Sequence, residues 1–333
     1  ATMASLYSRR RAIGIFAAAA GLPLLIGAKP GFRTFNWTGQ ALGAPATLIL
    51  NHDDPAEAER LIARVVAEVS RLEAIFSLYR TDSALAELNR VGGLAVPPPE
   101  LVSLLQSCER FWTMSGGAFD PTVQPLWVLY RDHFAAAGDS ASGPSRQEIG
   151  RALGRIGFDA IRFDRDRIAF ARPGMALTLN GVAQGYITDR VVDILRNAGV
   201  TSSLVDMGED RAIGARADGA PWRVGLAVHE DAEAPDVVLD IVDKAVATSS
   251  ADGFHFDDAG RFGHILDPRS GGTPMFYRRV TVVAQDATTA DGLSTAFSLM
   301  DEAGIRAAVS GHPELAIDFV TVGGIHRQIQ SPA

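Results

Sequence analysis

The chain has 333 residues and a formal net charge of −8, with 47% hydrophobic and 21% charged residues. This composition is typical of a globular protein whose core is easily filled, as one large domain or two ordinary ones. Without residues 1–28 there are 28 basic and 39 acidic residues, a net charge of −11, which argues against a nucleic-acid partner because phosphate binding requires a basic surface.

The first 28 residues have the features of an export signal. Ser8 and three arginines at 9–11 precede an uncharged stretch that ends at Ala28. A basic region, a short apolar region and a small-residue exit indicate a secretory signal, and the Ser-Arg-Arg order resembles a twin-arginine signal. A general secretory signal with a chance arginine cluster, or an uncleaved anchor, is the alternative. We therefore predict a signal at 1–28, a body at 29–333 and a periplasmic location.

Helices dominate the first half of the predicted body. From cap residues and from apolar residues at helical spacing, helices are predicted at 53–76, 82–89, 97–116, 145–154 and 184–198. The third of these contains Cys108, which is the only cysteine and so excludes an internal disulfide and a cysteine-based metal cluster. Its apolar surroundings indicate a buried, inert thiol.

Strands joined by turns dominate the second half. They are predicted at 163–170, 175–179, 203–207, 211–215, 222–228, 237–242 and 280–284, with a further hairpin over 253–266. Because hairpins join most of these strands and the helices occur in separate runs, the pattern favours an α+β fold over a parallel βαβ sheet.

The segment 286–295 runs from a strand end into a helix that carries Asp291 and Thr295. Residues four apart in a helix lie on one face, so the carboxylate and the hydroxyl are expected to be neighbours. Such hard oxygens suit Mg²⁺, which keeps open positions for a phosphate ligand. Asp and Thr in a first helical turn also serve as caps, so the sequence alone leaves both interpretations open.

A glycine-bearing loop at 178–186 joins a predicted strand to a helix N-terminus. Gly181 and Gly185 let backbone N–H groups approach a ligand, and the helix end favours an anion such as a pyrophosphate. The spacing is neither a Walker loop nor a dinucleotide fingerprint, and a plain tight turn is the alternative. The strand end at 206–210, Asp-Met-Gly-Glu-Asp, leaves the same two interpretations open.

Three further segments carry residues suited to ring binding or to proton transfer. Phe119 and Asp120 follow a helix end, where they either contact a flat ring and its polar edge or serve as core and turn residues. Tyr79 either stacks on a ligand or packs. His264 ends a strand and has the pKa range of a base that accepts a hydroxyl proton, although a lone strand histidine is also often structural.

These segments together resemble the ApbE family, the FAD:protein FMN transferases. The matching stretches, in the same order, are 76–83, 116–125, 179–189, 205–208, 264–271 and 280–295. The forms Leu-Asn-Gly-Val-Ala-Gln-Gly-Tyr at 179–186 and Asp-Met-Gly-Glu at 206–209 are most similar to the NosX branch, which is linked to maturation of the flavoprotein NosR in nitrous oxide respiration. The resemblance implies an ApbE-type, T-fold-like arrangement of antiparallel sheets with packed helices.

The resemblance also implies the chemistry. Mg²⁺ bridges the pyrophosphate of FAD, and FMN is joined by a phosphoester to a threonine of an acceptor protein with release of AMP. By this resemblance, oxygen atoms of Gly181, Asp291 and Thr295 bind the metal, and His264 and Asp291 are the catalytic residues. The implied flavin-contacting residues are Leu42, Tyr79, Ala118, Phe119, Asp120, Thr178, Gln184 and Leu266. A non-catalytic periplasmic FAD carrier and a Mg²⁺-dependent FAD pyrophosphatase remain the alternatives.

The chain also departs from the family pattern. Many members have an acidic residue at the position of Thr178 and a charged one at Gln184, so we expect a lower metal affinity here. Many members have two adjacent glycines where this chain has Gly208-Glu209. The Met-Gly-Thr sequence that is common near the start of the family domain is replaced here by Ala-Leu-Gly-Ala at 41–44.

Overall fold

The computed structural model describes residues 13–14, 32–137, 142–227, 234–251 and 253–330. Apart from residues 13–14, the predicted signal at 1–28 lies outside this range and stays a prediction. Within the described residues, no helix has both the length and the hydropathy needed to cross a bilayer.

Every strand pairing in the described chain is antiparallel. In chain order the strands are β1 (Ile13–Gly14), β2 (Arg33–Ala41), β3 (Ala44–His52), β4 (Gly93–Ala95), β5 (Ile161–Phe163), β6 (Arg167–Phe170), β7 (Ser203–Asp206), β8 (Asp210–Ile213), β9 (Trp222–Leu226), β10 (Val237–Ile241), β11 (Ala245–Ser250), β12 (Tyr277–Ala284), β13 (Ala316–Thr321) and β14 (His326–Gln330). The central sheet has the order β14-β13-β12-β11-β8-β7-β3-β2, and two small sheets have the orders β1-β9-β10 and β4-β6-β5. The predicted α+β class is confirmed.

The described chain has eight α-helices, several of which cover one face of the central sheet. They are α1 (Pro55–Phe76), α2 (Ala84–Val91), α3 (Pro99–Met114), α4 (Gln124–Ala137), α5 (Arg146–Leu153), α6 (Ala183–Asn197), α7 (Ala287–Ser298) and α8 (Glu302–Val309). α7 packs on β11 and β12, α6 packs against α7, and α1 packs against α6 and β2. The loop before α6 and the polar face of α7 are therefore neighbours at the centre of the fold.

The small sheet β1-β9-β10 covers the other face of the central sheet. Its Trp222 and Val224 pack with Leu204 and Val246, whereas the adjacent Val205 belongs to the core on the helical side. Successive strand residues point to opposite faces, so the central strands are buried on both sides. All four residues of β7 and of β8 are accordingly buried, although half of them are polar.

The predicted strand at 175–179 is wrong. Its apolar residues are buried, but no strand pairs with the segment. Instead the side chain of Asn89 accepts a hydrogen bond from the Leu177 N–H (2.7 Å) and donates one to the Leu177 carbonyl (2.8 Å). The Thr178 N–H donates to the carbonyl of Pro121 at 2.8 Å. Since these partners satisfy the buried backbone, the segment can run extended without a sheet.

Two other strand predictions need correction. The segment 163–170 is a hairpin, because Asp164 accepts hydrogen bonds from the backbone N–H groups at 166 and 167 and turns the chain. The hairpin predicted over 253–266 has one bridge, between His255 and Gly263. There the carboxylate of Asp257 takes the N–H groups of residues 261 and 262, which would otherwise extend a ladder.

Candidate active site

A deep cleft opens between the β2–β3 turn, the start of α4, the loop before α6 and α7, with a cavity volume of about 670 Å³. This size is ordinary for the site of a cofactor-sized ligand. Except for Gln184, all the predicted site residues line it: Leu42, Tyr79, Ala118, Phe119, Asp120, Thr178, Gly181, His264, Leu266, Asp291 and Thr295. Their positions span most of the described chain, so the fold brings together what the sequence separates.

The three predicted metal oxygens lie side by side. Asp291 and Thr295 are one turn apart on α7, and Thr295 Oγ1 lies 3.5 Å from the carbonyl oxygen of Gly181. Asp291 Oδ2 accepts a hydrogen bond from the N–H of Gly185 at 3.0 Å. A carboxylate, a hydroxyl and a carbonyl oxygen therefore face one part of the cleft, an arrangement of hard oxygens suited to Mg²⁺.

Two glycines make this approach possible. A Cβ at Gly181 would lie 2.9 Å from Thr295 Oγ1, so it would occupy the space beside the hydroxyl. A Cβ at Gly185 would lie only 2.2 Å from the carbonyl oxygen of Ala287 and would push α6 away from α7. The glycine spacing seen in the sequence is thus a requirement of close packing between the loop and α7.

The oxygen set fits a cation only with outside ligands. In the described part of the chain, no three His, Cys, Asp or Glu side chains form a candidate metal cluster. A cation beside Asp291 would therefore depend on the Thr295 hydroxyl, the Gly181 carbonyl and oxygens of water or of a bound phosphate. Mg²⁺ is commonly held in this way, by few carboxylates together with waters and substrate phosphates.

Asp189, which the sequence analysis did not nominate, fixes the start of α7. Its carboxylate accepts hydrogen bonds from the N–H groups of Ala287 and Thr288, each at 2.8 Å, and pairs with Arg211 of β8. Burial raises the pKa of Asp189, and the Arg211 charge opposes that rise. A negative group at the N-terminus of α7 also complements the helix dipole. We call this set of interactions of Asp189 the Asp189 clamp. It holds the first turn of α7, and therefore Asp291, at a fixed position.

His264 has a tautomer that is set by its hydrogen bond. Its Nδ1 lies 2.9 Å from the carbonyl oxygen of Phe254. A carbonyl only accepts, so in neutral imidazole Nδ1 carries the hydrogen and Nε2 is the unprotonated nitrogen. The ring lies across Gly253, where a Cβ would come within 2.6 Å of it. His264 borders the cleft and a small adjoining hollow beside Met275, a position from which Nε2 can act as a base.

Apolar and aromatic side chains line another part of the cleft. Phe119 is buried and meets Phe111 edge to face, with ring centroids 5.7 Å apart. Ala118 and Leu266 are also buried, whereas Tyr79 is 52% exposed at the rim. The amide of Asn180 lies 3.5 Å from the Tyr79 hydroxyl. A flat ring could insert between such surfaces.

Asp120 lines the cleft, but its carboxylate is engaged by the protein. Oδ1 accepts from the N–H and the hydroxyl of Thr122, at 2.8 and 2.6 Å, and Oδ2 accepts from the N–H of Phe158 at 3.0 Å. Burial raises the pKa of Asp120, against the effect of these hydrogen bonds. The interpretation of Asp120 as a turn-opening residue is confirmed, and its contact with a flavin stays a prediction.

Gln184 lies beneath the cleft lining and not on it. Its side chain is buried against Gly208, where a Cβ would come within 2.4 Å of the Gln184 amide nitrogen. Gly208 has a φ of +116° and itself lines the cleft. Gly208 therefore lies between the Gln184 side chain and the cavity, where the predicted contact with FAD would be made.

Leu42 occupies a strained turn at the edge of the cleft. Leu42 and Gly43 connect β2 to β3 with φ angles of 49° and 80°. Both angles are positive, as in the two-residue hairpin turns that favour Asn-Gly. The N–H of Leu42 donates to Oε1 of Glu73 at 2.6 Å, which ties the turn to α1.

Several lining residues were not found from the sequence. Among them are Trp127 and Arg131 on α4, Glu209 in the β7–β8 turn, and the three hydroxyl residues at 248–250 that end β11. The hydroxyl of Ser249 is hydrogen-bonded to that of Ser294 on α7 at 2.9 Å. The sequence pattern that could have indicated these three residues is a run of hydroxyl side chains at the end of an apolar strand.

A mixed antiparallel fold with one long cleft, apolar in one part and lined with hard oxygens in another, defines a protein that binds a ligand with both a ring and a phosphate. Comparison with known proteins agrees with this class. The sequence model of the ApbE family matches residues 42–318, and the chain belongs to this family.

The relatives are similar along most of their length. The chain is 31% identical to the FAD:protein FMN transferase of Treponema pallidum over 262 residues, which cover 72% of this chain and 71% of that protein. It is 30% identical to an FAD:protein FMN transferase of Klebsiella pneumoniae over 300 residues, 87% of this chain and 90% of the relative.

Solved structures confirm the predicted ApbE-type fold. The apo form of the flavinyl transferase ApbE of Pseudomonas stutzeri superimposes with a TM-score of 0.75 and 28% identity, over 90% of this chain and 96% of that one. The flavin transferase ApbE of Vibrio cholerae gives a TM-score of 0.77 over 90% and 97% of the two chains. At 23% identity the latter likeness concerns the fold alone.

Proposed function

We propose that this ApbE-family flavinyltransferase moves FMN from FAD to a threonine hydroxyl of an acceptor protein, with Mg²⁺ as its cofactor. In this reaction the threonine oxygen bonds to the phosphorus of the FMN moiety, and the bond from that phosphorus to the AMP oxygen breaks. AMP leaves with the electron pair, and the hydroxyl proton passes to a base. The observation that carries the proposal is one cleft lined both by the Asp291–Thr295–Gly181 oxygens and by His264, whose Nδ1 is hydrogen-bonded to the Phe254 carbonyl.

Phosphoryl-type transfer needs positioning and charge neutralisation more than covalent chemistry from the enzyme. Asp291, Thr295 and the carbonyl of Gly181 would hold Mg²⁺, which when bound would offset the negative charge of the pyrophosphate and of the departing AMP. The Asp189 clamp fixes α7, so Asp291 is in place before any ligand enters. Preorganisation of this kind avoids a reorganisation cost during the reaction.

His264 is the base in this proposal. Its Nδ1–H is directed to the Phe254 carbonyl, so Nε2 is the nitrogen able to take the proton from the threonine hydroxyl. The nucleophile belongs to the acceptor, which fits the lack of a predicted internal nucleophile.

We further propose that the acceptor is a NosR-like flavoprotein and that the protein works in the periplasm as a member of the NosX branch. The support is the resemblance at 179–186 and 206–209 and the twin-arginine-like features of residues 1–28. This proposal requires that the enzyme is exported and that the acceptor domain lies on the same side of the membrane.

The test is an intact-mass measurement on a purified NosR-like domain incubated with FAD, Mg²⁺ and this protein. The acceptor should gain the mass of FMN less one water, and AMP should appear in equal amount. An acceptor with its threonine changed to valine is the control and should gain nothing. Free FMN without acceptor modification would instead identify a pyrophosphatase, and bound FAD without AMP release would identify a carrier.

A further inference from the structure

Three carboxylates line the cleft within the described chain: those of Asp120, Glu209 and Asp291. The two oxygens of Asp120 are taken up by donors at 122 and 158. Asp291 accepts from Gly185 and stands beside Thr295. Glu209 lies in the three-residue turn between β7 and β8.

Glu209 is held by its backbone, with its side chain buried. Its carbonyl accepts the hydroxyl of Thr188, and one carboxylate oxygen accepts the N–H of Thr248. The residue is only 7% exposed. The other oxygen, Oε2, is buried and finds no hydrogen-bond partner among the described residues. Buried carboxylate oxygens are nearly always paired, so an open one indicates a missing ligand.

The surroundings of Glu209 are negative. Burial is the largest cause that raises its pKa, and the charges of Asp291 and Asp206 raise it further. The cationic side chain on the cleft wall, Arg131, pairs with Asp132 at 2.8 Å and lies over the Trp127 ring. It is therefore committed elsewhere. Two buried carboxylates that face one space repel each other unless a positive charge lies between them.

We propose that Glu209 is a further oxygen ligand of the divalent cation held by Asp291, Thr295 and Gly181. The proposal rests on the proposed function, since it concerns the same cation. A cation at this point would give Oε2 its missing partner and would relieve the repulsion with Asp291. It would also give the site two carboxylates, one on α7 and one on the β7–β8 turn, so that the cation ties the helical layer to the central sheet.

Direct metal binding tests this proposal without any turnover. Mn²⁺ serves as the probe, titrated into the full chain without FAD, and free Mn²⁺ is followed by its electron paramagnetic resonance signal. Glu209→Gln keeps the shape of the side chain and should weaken Mn²⁺ binding roughly 10- to 100-fold. Asp291→Asn is the reference and should weaken it at least as much. Asp166→Asn removes one negative charge from an exposed pair with Arg165 outside the cleft and should leave binding unchanged.

A second variant separates a ligand from a structural residue. In Glu209→Cys a thiolate replaces the carboxylate, so binding should shift from Mn²⁺ towards the softer Cd²⁺; the buried Cys108 remains the same in both proteins. A residue with a merely structural role would not change the metal preference. Glu209→Asp keeps the charge and should bind Mn²⁺ with intermediate affinity, which provides a result if Glu209→Gln does not fold.

The outcomes distinguish this proposal from the proposed function. If Glu209→Gln binds Mn²⁺ as tightly as the unchanged protein while Asp291→Asn does not, the cation site stands without Glu209 and only this inference is overturned. If neither variant loses affinity, the site holds no cation, and both this inference and the Mg²⁺ part of the proposed function fail. Loss with Glu209→Gln alone would place the ion away from Asp291 and would also overturn the inference.

Discussion

The oxygen-lined part of the cleft and the loop that carries His264 are built in different ways. Asp291 and Thr295 lie on a buried helix whose first turn is clamped by Asp189 and whose face is pressed against Gly185. His264 lies on an irregular segment with a single β-bridge. The comparison indicates that charge neutralisation is preorganised by the fold, whereas the base depends on a few local hydrogen bonds.

The largest effect is expected from the oxygen-lined part. Asp291→Ala removes the only carboxylate among the three predicted metal ligands, and preorganised electrostatic groups of this kind are worth about 10²–10³ in rate each, with the loss of metal binding added. We expect flavinylation to fall at least about 10³-fold, measured by fluorescence of the acceptor band. Raising Mg²⁺ should not restore the rate, and a rate restored by Mg²⁺ would show that Asp291 acts only through affinity.

His264→Gln tests the other region. A positioned general base contributes about 10²–10⁴ in rate, so we expect a loss within that range and smaller than that of Asp291→Ala. Since the neutral imidazole is the active form, the rate of the unchanged enzyme should rise with pH on the acid side, and this limb should vanish in the variant. Binding of FAD should change little. A variant with the same acid limb would exclude His264 as the base.

Asp189→Asn sharpens the comparison by loosening α7 without touching the cleft. The amide can accept from only one of the N–H groups of Ala287 and Thr288, and Arg211 loses its charged partner. Breaking a buried pair costs about 3 kcal/mol, which urea unfolding would measure. The half-exposed Asp193 on the same helix pairs with Arg190, and Asp193→Asn should cost less than about 0.5 kcal/mol. If both variants lost the same free energy of unfolding, the Asp189 clamp would contribute no more than an ordinary surface ion pair.

Local spacing made the oxygen-lined part partly predictable. The four-residue interval between Asp291 and Thr295 was enough to place both on one helix face. The approach of Gly181 to Thr295 joins residues that are 114 positions apart, so it entered only through the family resemblance. Glu209 was missed because nothing local distinguishes a buried turn carboxylate from a solvated one.

Apolar runs were the less reliable guide. The segment 175–179 has the pattern of a strand, yet its backbone groups pair with the side chain of Asn89, with the carbonyl of Pro121 and with neighbouring loop and helix residues, and not with a strand. The β2–β3 hairpin was not predicted, although Gly43 marks its turn, because Leu42 is not a residue that favours positive φ. A partner distant in the sequence decides the first case, and an atypical turn residue hides the second.

The loop that carries His264 should respond to acid through Asp257. Burial tends to raise the pKa of Asp257, but its hydrogen bonds from Arg261 and Phe262 outweigh this effect and lower the pKa below the ordinary value. A lowered carboxyl pKa stabilises the loop above the unfolded-state pKa, and this stabilisation is lost as pH falls through the folded-state pKa. Hydrogen exchange of the amides at 261 and 262 should therefore lose protection in acid. Asp257→Asn should show low protection at every pH, with a turnover loss of less than about tenfold.

The smallest effect is expected at the β2–β3 turn. Leu42 holds a left-handed φ of 49°, a conformation that Asn adopts more readily, so Leu42→Asn should raise the free energy of unfolding by about 1 kcal/mol. The N–H to Glu73 is kept, so the turn itself should not move. The apolar contact with the cleft is lost, and FAD should bind a few-fold more weakly. Thermal unfolding without ligand measures the stability, and FAD titration measures the affinity.

A gain in stability with unchanged FAD affinity would mean that the turn residue is strained for no benefit to binding. A loss in both would mean that the packing of Leu42 on the core outweighs its backbone strain.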